Sequence, residues 1–475
     1  MFNMSPASRE IKSGNNTQSA QAPLVQCTDD RKTVCLFANI GTGHLNPMLV
    51  LAARLTALGW TVLFYAHSNA RQKVSSSGAV WRSYGSENWD LFNTAKYATA
   101  GLLSMPPDPL LDMSIVSAGL PATLVMLPYL LAEIRLHRPL FTVHDAAAPW
   151  GALAGRIAGL HTVCSVSAFP LTPAQAAETY PPGPIQKAAA RYLLRQYDLN
   201  YDPAATYINY TDFNLVFTAR FWAGDRFKAD TPYYFCGPTP LPSTNDEVNH
   251  PAIYTAKSAK AAGKKVIYGS FGTVVSGPLS PYYRRAIQHI FGQAIEALSS
   301  RDDVHLILSA GRKPLGDKSQ PGVVEDTNKP LPASVSMFEY TPQPKLLEYT
   351  DVFLTHAGMN STNEAAWYGV PVVCCPFFGD GVLNAKRFAE LGAGITVDYR
   401  IATPALIAAG HVPFSLDDAP SDEMHSALFA VLDDPSYRRA AVALKHQFRQ
   451  ETNLDQYIDV MLEWVESHRS HSKRA

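Results

Sequence analysis

Charge is scarce in this sequence. Asp, Glu, Lys and Arg make up 17% of 475 residues and nearly cancel, for a formal net charge of −1. That balance gives no electrostatic case for nucleic acid or for an anionic membrane surface. Long hydrophobic runs are lacking as well. The longest apolar region, Leu110 to Ile134, is interrupted by Asp112, Pro121 and Pro128, so no membrane span is expected. Cysteine is sparse: Cys27, Cys35, Cys164, Cys236, Cys374 and Cys375 show no metal-ligand spacing. Several lie in apolar strand-like runs, which suits reduced core thiols. Residues 1–31 are rich in Ser, Asn, Gln and Ala and lack the apolar segment of a signal peptide, so they read as a disordered leader. A cytoplasmic location is expected.

What is present is apolar and alternating. At 475 residues two to three domains are expected, and a hydrophobic fraction of 47% can fill their cores. Thr33 to Ala38 reads as a strand, followed by a loop, a helix capped by Asn46 with Pro47 at its first position, and a second strand, Thr61 to Ala66. Met48, Leu51, Leu55 and Leu58 share one face of that helix and should meet the sheet. This is a βαβ unit with parallel strands. Further strands fall at Leu140 to His144, Thr162 to Val166 and Asn214 to Phe217, the last expected to close the first half. Trp81 to Ala100 and Leu110 to Ile134 suggest helices and long loops around an apolar cleft.

Residues 241–263 read as a linker whose lysines, Lys257 and Lys260 among them, sit on a solvated loop. A second strand–helix series then begins at Lys265 to Gly269. The resulting division is a leader (1–31), a first Rossmann-like domain (32–240), the linker, a second such domain (264–450), and a terminal helix and tail (451–475). In the terminal helix Leu454, Ile458, Met461 and Val465 form one apolar stripe. The fold class is α/β.

Two places carry candidate chemistry. Val352 to Leu354 runs through Thr355-His356-Ala357-Gly358 into a helix that Asn360 or Ser361 can cap and that Gly369 ends. A strand, a tight turn and a helix N-terminus aim free N–H groups and a positive dipole end at one spot, which favours phosphate. Asp145, at the C-terminal edge of a strand, lies where open α/β sheets place their sites, although an Asp there equally suits a helix cap. Gly41-x-Gly43 is a poor dinucleotide fingerprint, because Asn46 occupies the third glycine position and no acid follows the second strand.

The stretch Tyr340 to Phe388 closely resembles the donor-binding signature of the family 1 nucleotide-sugar glycosyltransferases. The matching residues are Tyr340, Pro342, Gln343, His356, Gly358, Asn360, Ser361, Glu364, Gly369, Val370, Pro371, Pro376, Phe377, Phe378 and Asp380. Gly381 replaces the family's usual Gln, and Met359 replaces a common Trp. Ser270-Phe271-Gly272-Thr273 is similar to the family's phosphate turn, with Ser270 and Thr273 supplying the hydroxyls. His44, in Gly43-His44-Leu45-Asn46-Pro47, matches the catalytic base and Asp145 its dyad partner, and Gly43 beside it is expected among the donor-binding residues. Ser167 matches a hydroxyl residue that approaches the donor sugar.

The resemblance implies a GT-B fold with the site in the cleft between two Rossmann-like domains. It implies inverting transfer of a hexose, glucose by first expectation, from a UDP-sugar to a hydroxyl of a hydrophobic small molecule of secondary metabolism. His356, Asn360, Ser361 and the helix N-terminus would hold the diphosphate, Gln343 and Glu364 the base side and ribose, Tyr340 the uracil ring, and Asp380 the sugar. No cofactor beyond the co-substrate is expected. The signature stretch lacks an Asp-x-Asp metal motif, so no metal is expected either. A UDP-sugar epimerase and a non-catalytic UDP-sugar binder of the same fold are the alternatives.

Overall fold

The structure, a computed structural model, describes residues 32–39, 41–84, 115–172, 174–176, 184–203, 211–225, 227, 232–239, 245–272, 280–311, 331–377, 379–402, 414–415 and 422–472. The expected leader, Thr273, Phe378 and most of Trp81 to Ala100 lie outside them. Residues 32–475 form one compact unit.

Among the described residues there are two wholly parallel sheets. The first has the order β3-β2-β1-β4-β5-β6-β7, from β1 (Thr33–Phe37), β2 (Thr61–Tyr65), β3 (Val80–Arg82), β4 (Phe141–Asp145), β5 (Thr162–Val166), β6 (Phe213–Val216) and β7 (Tyr233–Phe235). The second has the order β10-β9-β8-β11-β12-β13, from β8 (Lys265–Ser270), β9 (Val304–Ser309), β10 (Val335–Phe338), β11 (Val352–Thr355), β12 (Val372–Cys374) and β13 (Gly394–Thr396). The central strands are buried on both faces, which is why they read as continuous apolar runs rather than alternating ones. In each sheet the order reverses beside the first strand, between β1 and β4 and between β8 and β11. Ligands of open α/β sheets bind at the strand C-termini of such reversals.

The helices used below are α1 (Thr42–Ala57), α2 (Ile115–His137), α3 (Pro149–Ile157), α4 (Arg220–Ala223), α5 (Pro251–Ala261), α6 (Ser280–Leu298), α7 (Met359–Tyr368), α8 (Asp380–Glu390), α9 (Pro435–Gln450) and α10 (Leu454–Ser472). One face of the first sheet packs on α1 and α10, the other on α2 and α3. The second sheet packs on α6 on one side and on α5, α7 and α9 on the other. This last core continues into the first half through Val166, Val216, Trp222 and Phe235. Among the described residues no helix is long and apolar enough to cross a membrane. All five described cysteines are buried free thiols.

Several expectations are corrected. Helix α1 begins at Thr42, a turn before Asn46, and Pro47 lies inside it. The start is set by Asn39 and Gly41 instead: Asn39 Oδ1 accepts from Gly41 N, and Gly41 O accepts from His44 N and Leu45 N. Met48, Leu51 and Leu55 are buried as expected, but Leu58 is 51% exposed because the helix has ended at Ala57. Helix α7 is capped by Gly358, which puts Asn360 and Ser361 in its first turn rather than at its cap. Helix α2 runs through both Pro121 and Pro128.

Val80–Arg82 is strand β3, and β7 follows Asn214 to Phe217, so that strand does not close the first half. These two strands, like β13, are three residues long, too short for periodicity to show. The expected linker contains α5, with His250 accepting from Ala252 N, Pro251 in its first turn, and Ala252, Ile253, Ala256 and Ala259 buried. Lys257 and Lys260 are therefore helical, and Lys260 pairs with Asp351 at 2.8 Å. The stripe on α10 is buried as expected and lies against the first sheet, far from it in sequence.

Candidate active site

The first wall is built at the β1/β4 reversal. Helix α1 carries His44 in its first turn, directly after β1, and β4 ends on Asp145. His44 Nδ1 lies 2.9 Å from Asp145 Oδ1. The Asp145 side chain is fully buried whereas that of His44 is 29% exposed, so the pair is rooted in the core and reaches solvent through the imidazole. Burial opposes protonation of His44. The charge and hydrogen bond of Asp145, and the charge of Asp380, outweigh it and hold the imidazole above its ordinary value.

Asp145 Oδ1 also accepts from Ala147 N at 2.8 Å, and Asp145 Oδ2 accepts from Ser167 Oγ at 2.9 Å. Ser167, just past β5, lies 2.9 Å from His44 Nδ1 as well. The structure thus brings Ser167 onto the His44–Asp145 pair, a placement its expected donor-sugar contact does not include.

The second wall is built at the β8/β11 reversal. Strand β11 ends in Thr355, and Ala357 takes φ 60, a left-handed conformation unusual for a residue with a Cβ. Its peptide is fixed from three sides: Ala357 N donates to Thr355 Oγ1, and Ala357 O accepts from Thr362 Oγ1 and Asn384 Nδ2. The turn leads directly into α7, whose N-cap is Gly358. His356 packs against Gly358 so closely that a Cβ there would lie 2.5 Å from Nε2. Burial pushes His356 down to about 4, so it is a neutral imidazole near pH 7, and its buried Nδ1 has no partner among the described residues. Ser270, at the end of β8, accepts from Gly272 N. Asp380 Oδ2 accepts from Met359 N at 3.3 Å, and burial raises its carboxyl despite the opposing charge of His44 and backbone donors.

Deeper along α7, Gln343 Nε2 donates to Glu364 Oε2 at 2.6 Å and to Ser361 Oγ at 3.1 Å. Ser361 keeps its own proton for another acceptor. Tyr340 is 54% exposed, its ring edge-on to His250 and its hydroxyl donating to Glu247. Among the described residues no group of three or more His, Cys, Asp or Glu could hold a metal ion.

The two walls are tied together by three asparagines that sequence reasoning either assigned otherwise or passed over. Asn360 Nδ2 donates to Gly43 O at 2.9 Å. Pro47 explains why that carbonyl is free: lacking an N–H, it cannot make the helical bond back to residue 43. Asn363 Nδ2 donates to Phe217 O and its Oδ1 accepts from Thr218 Oγ1. Asn384 Oδ1 accepts from Trp222 Nε1 at 2.9 Å. Asn363 and Asn384 are buried in helices, where Asn has poor propensity. That mismatch is the signal that could have found them.

Gly381 departs from the family pattern for a visible reason. A Cβ at that position would lie 2.5 Å from the backbone oxygen of His356. Helix α8 packs directly on the His356 turn and leaves no room for a side chain.

Solved structures share this architecture. The structure titled the glycotransferase of kitacinnamycin superposes with a TM-score of 0.65 at 21% identity, covering 91% of this chain and 99% of that one. The fold is GT-B, two parallel-sheet α/β domains. Residues 322–472 match the family described as UDP-glucoronosyl and UDP-glucosyl transferase. In Bacillus subtilis (strain 168), the protein named uncharacterized UDP-glucosyltransferase YdhE is 25% identical over 53% of this chain, a match spanning 53% of its own length. A second protein of that strain, uncharacterized UDP-glucosyltransferase YojK, is 22% identical over 74% of this chain and 82% of its own length.

Two expected outcomes arise here. His356→Ala should weaken UDP binding roughly tenfold by removing a preorganised donor, as read by calorimetry; unchanged affinity would remove His356 from the phosphate site. The second concerns Glu364, whose carboxyl burial raises to about 7 against the opposing Gln343 amide. A raised carboxyl stabilises the fold below its unfolded value and loses that contribution as pH rises through about 7. Ribose hydroxyls donate to a carboxylate, so UDP-sugar affinity should rise severalfold from about pH 6 to about pH 8. Glu364→Gln should flatten that rise; an equally steep rise in the variant would place the titrating group elsewhere.

Proposed function

We propose that the chain transfers a hexose from a UDP-sugar to a hydroxyl of a hydrophobic small molecule, with inversion at the anomeric carbon. One observation carries the reading. An imidazole anchored on a buried carboxylate faces a helix N-terminus built for phosphate, and Asn360 ties the two together. The acceptor hydroxyl attacks C1 of the sugar and gives its proton to His44 Nε2. The C1–O bond to the diphosphate breaks, and its electron pair leaves on the β-phosphate oxygen. Asp145 stabilises the imidazolium that forms. The N–H groups of α7, with His356 and Ser361, stabilise the developing charge on the leaving group. A single displacement with one base turns an α-linked donor into a β-glycoside. Glu364 and Gln343 suit the ribose and base, the exposed face of Tyr340 suits stacking on uracil, and Asp380 suits sugar hydroxyls.

The test is whether UDP release depends on acceptor. Release that rises with a phenolic, polyketide or sterol alcohol supports transfer. Isomerised UDP-sugar formed without acceptor would instead support an epimerase, and UDP-sugar binding with no turnover a binding protein.

A further inference from the structure

We propose that Ser167 is a positioning residue for the base: it completes a Ser167–Asp145–His44 triad that fixes the His44 tautomer. The inference rests on the transfer reading above but concerns a property of the ligand-free protein.

Strands β4 and β5 are neighbours, with Asp145 paired to Ser165, which brings Ser167 to the same edge two residues on. Asp145 and Ser167 are both buried, 0% and 5% exposed, so water does not compete for their bonds. Three contacts of 2.9 Å close a ring: His44 Nδ1 to Asp145 Oδ1, Ser167 Oγ to Asp145 Oδ2, and Ser167 Oγ to His44 Nδ1.

Proton counting then decides the tautomer. A hydroxyl has one hydrogen and a carboxylate has none. Ser167 gives its hydrogen to Asp145 Oδ2 and turns a lone pair toward His44. Asp145 Oδ1 presents a second lone pair to the same ring nitrogen. Two acceptors facing Nδ1 require that Nδ1 carry the proton, which leaves Nε2 bare. A bare Nε2 is what a base needs to take the acceptor's proton. Ala147 N and Ser167 Oγ grip opposite oxygens of Asp145, so the carboxylate cannot rotate away from the imidazole. The titratable groups acting on His44 are Asp145 beneath it and Asp380 across the cleft.

The experiment is nitrogen-15 NMR of the labelled, ligand-free full chain, with transfer kinetics on the same samples. Wild type should show His44 protonated on Nδ1 and bare on Nε2. Ser167→Ala should mix the two tautomers, lower kcat roughly tenfold, and leave the KM for UDP-sugar unchanged. Ser167→Thr keeps the hydroxyl and should restore both readouts. A wild-type His44 bare at Nδ1 would overturn the proposal without any variant, so it stays testable even where Ser167→Ala fails to fold. So would a Ser167→Ala protein with normal kcat and tautomer but a raised KM or altered sugar preference, which would put Ser167 on the donor. A correct tautomer with no transfer to any acceptor would uphold the triad and sink the transfer reading alone.

Discussion

His44→Ala is expected to lower transfer by about 10²-fold or more while UDP affinity changes little. The separation follows from where the residue sits. His44 lies in α1, on the first wall, and touches Asp145 and Ser167, whereas the diphosphate contacts proposed above lie on the second wall. Removing the imidazole takes away the proton acceptor and leaves the α7 N-terminus and its turn intact. Asp145 cannot substitute, because its carboxylate is fully buried and does not reach the cleft. Steady-state kinetics beside a UDP titration check this, and near-full activity in the variant would remove His44 as the base. The imidazole's raised value also sets the pH dependence: activity falls on the acid side as His44 becomes protonated.

Gly381→Gln is the second large effect. This substitution restores the residue the family pattern expects, and comparison of sequences alone would read it as a gain of sugar contact. The structure argues the reverse. The new Cβ would sit 2.5 Å from the carbonyl oxygen of His356, a backbone atom that cannot rotate aside. Either α8 or the His356 turn must move. The turn is held by Thr355, Thr362 and Asn384, and the first residue of α8, Asp380, is bonded to Met359 N. Overpacking of this kind costs about 1–3 kcal/mol. The expected result is a lower melting temperature and UDP binding weakened roughly tenfold or more, since the His356 turn is the part displaced. An unchanged melting temperature together with tighter use of UDP-glucose would show that the turn yields freely.

Both predictions depend on parts of the fold that differ in how far the sequence displays them. The second wall was legible because its residues serve local backbone geometry: a strand, a turn and a helix end within a few residues leave a pattern that needs no partner elsewhere. Gly369 ends α7 with φ 71, as its position after the apolar run implies. The pairing of His44 with Asp145, 101 residues apart, came from family resemblance rather than from spacing. Poor helix propensity could have flagged Asn363 and Asn384, but not their partners, which include a remote backbone carbonyl and a tryptophan N–H and carry no type signature. The resemblance assigns Ser167 a role through its distance from Asp145 in the chain. Distance along a strand edge does not say which way a hydroxyl points, and here it points at the dyad.

Pro47 shows the same limit in another form. As the first residue of a helix it would be unremarkable, and local rules favour that reading. Inside α1 it instead frees Gly43 O for Asn360, joining the helix that carries His44 to the helix that carries Asn360. A residue that looked like punctuation couples the two walls.

Product mass is the decisive measurement for sugar transfer. The protein is incubated with UDP-glucose and other UDP-sugars against phenolic, polyketide and sterol alcohols. A product one hexose heavier than its acceptor is expected, formed by wild type and lost in His44→Ala. Failure of the protein to bind any UDP-sugar, or a product that His44→Ala forms equally well, would contradict that expectation.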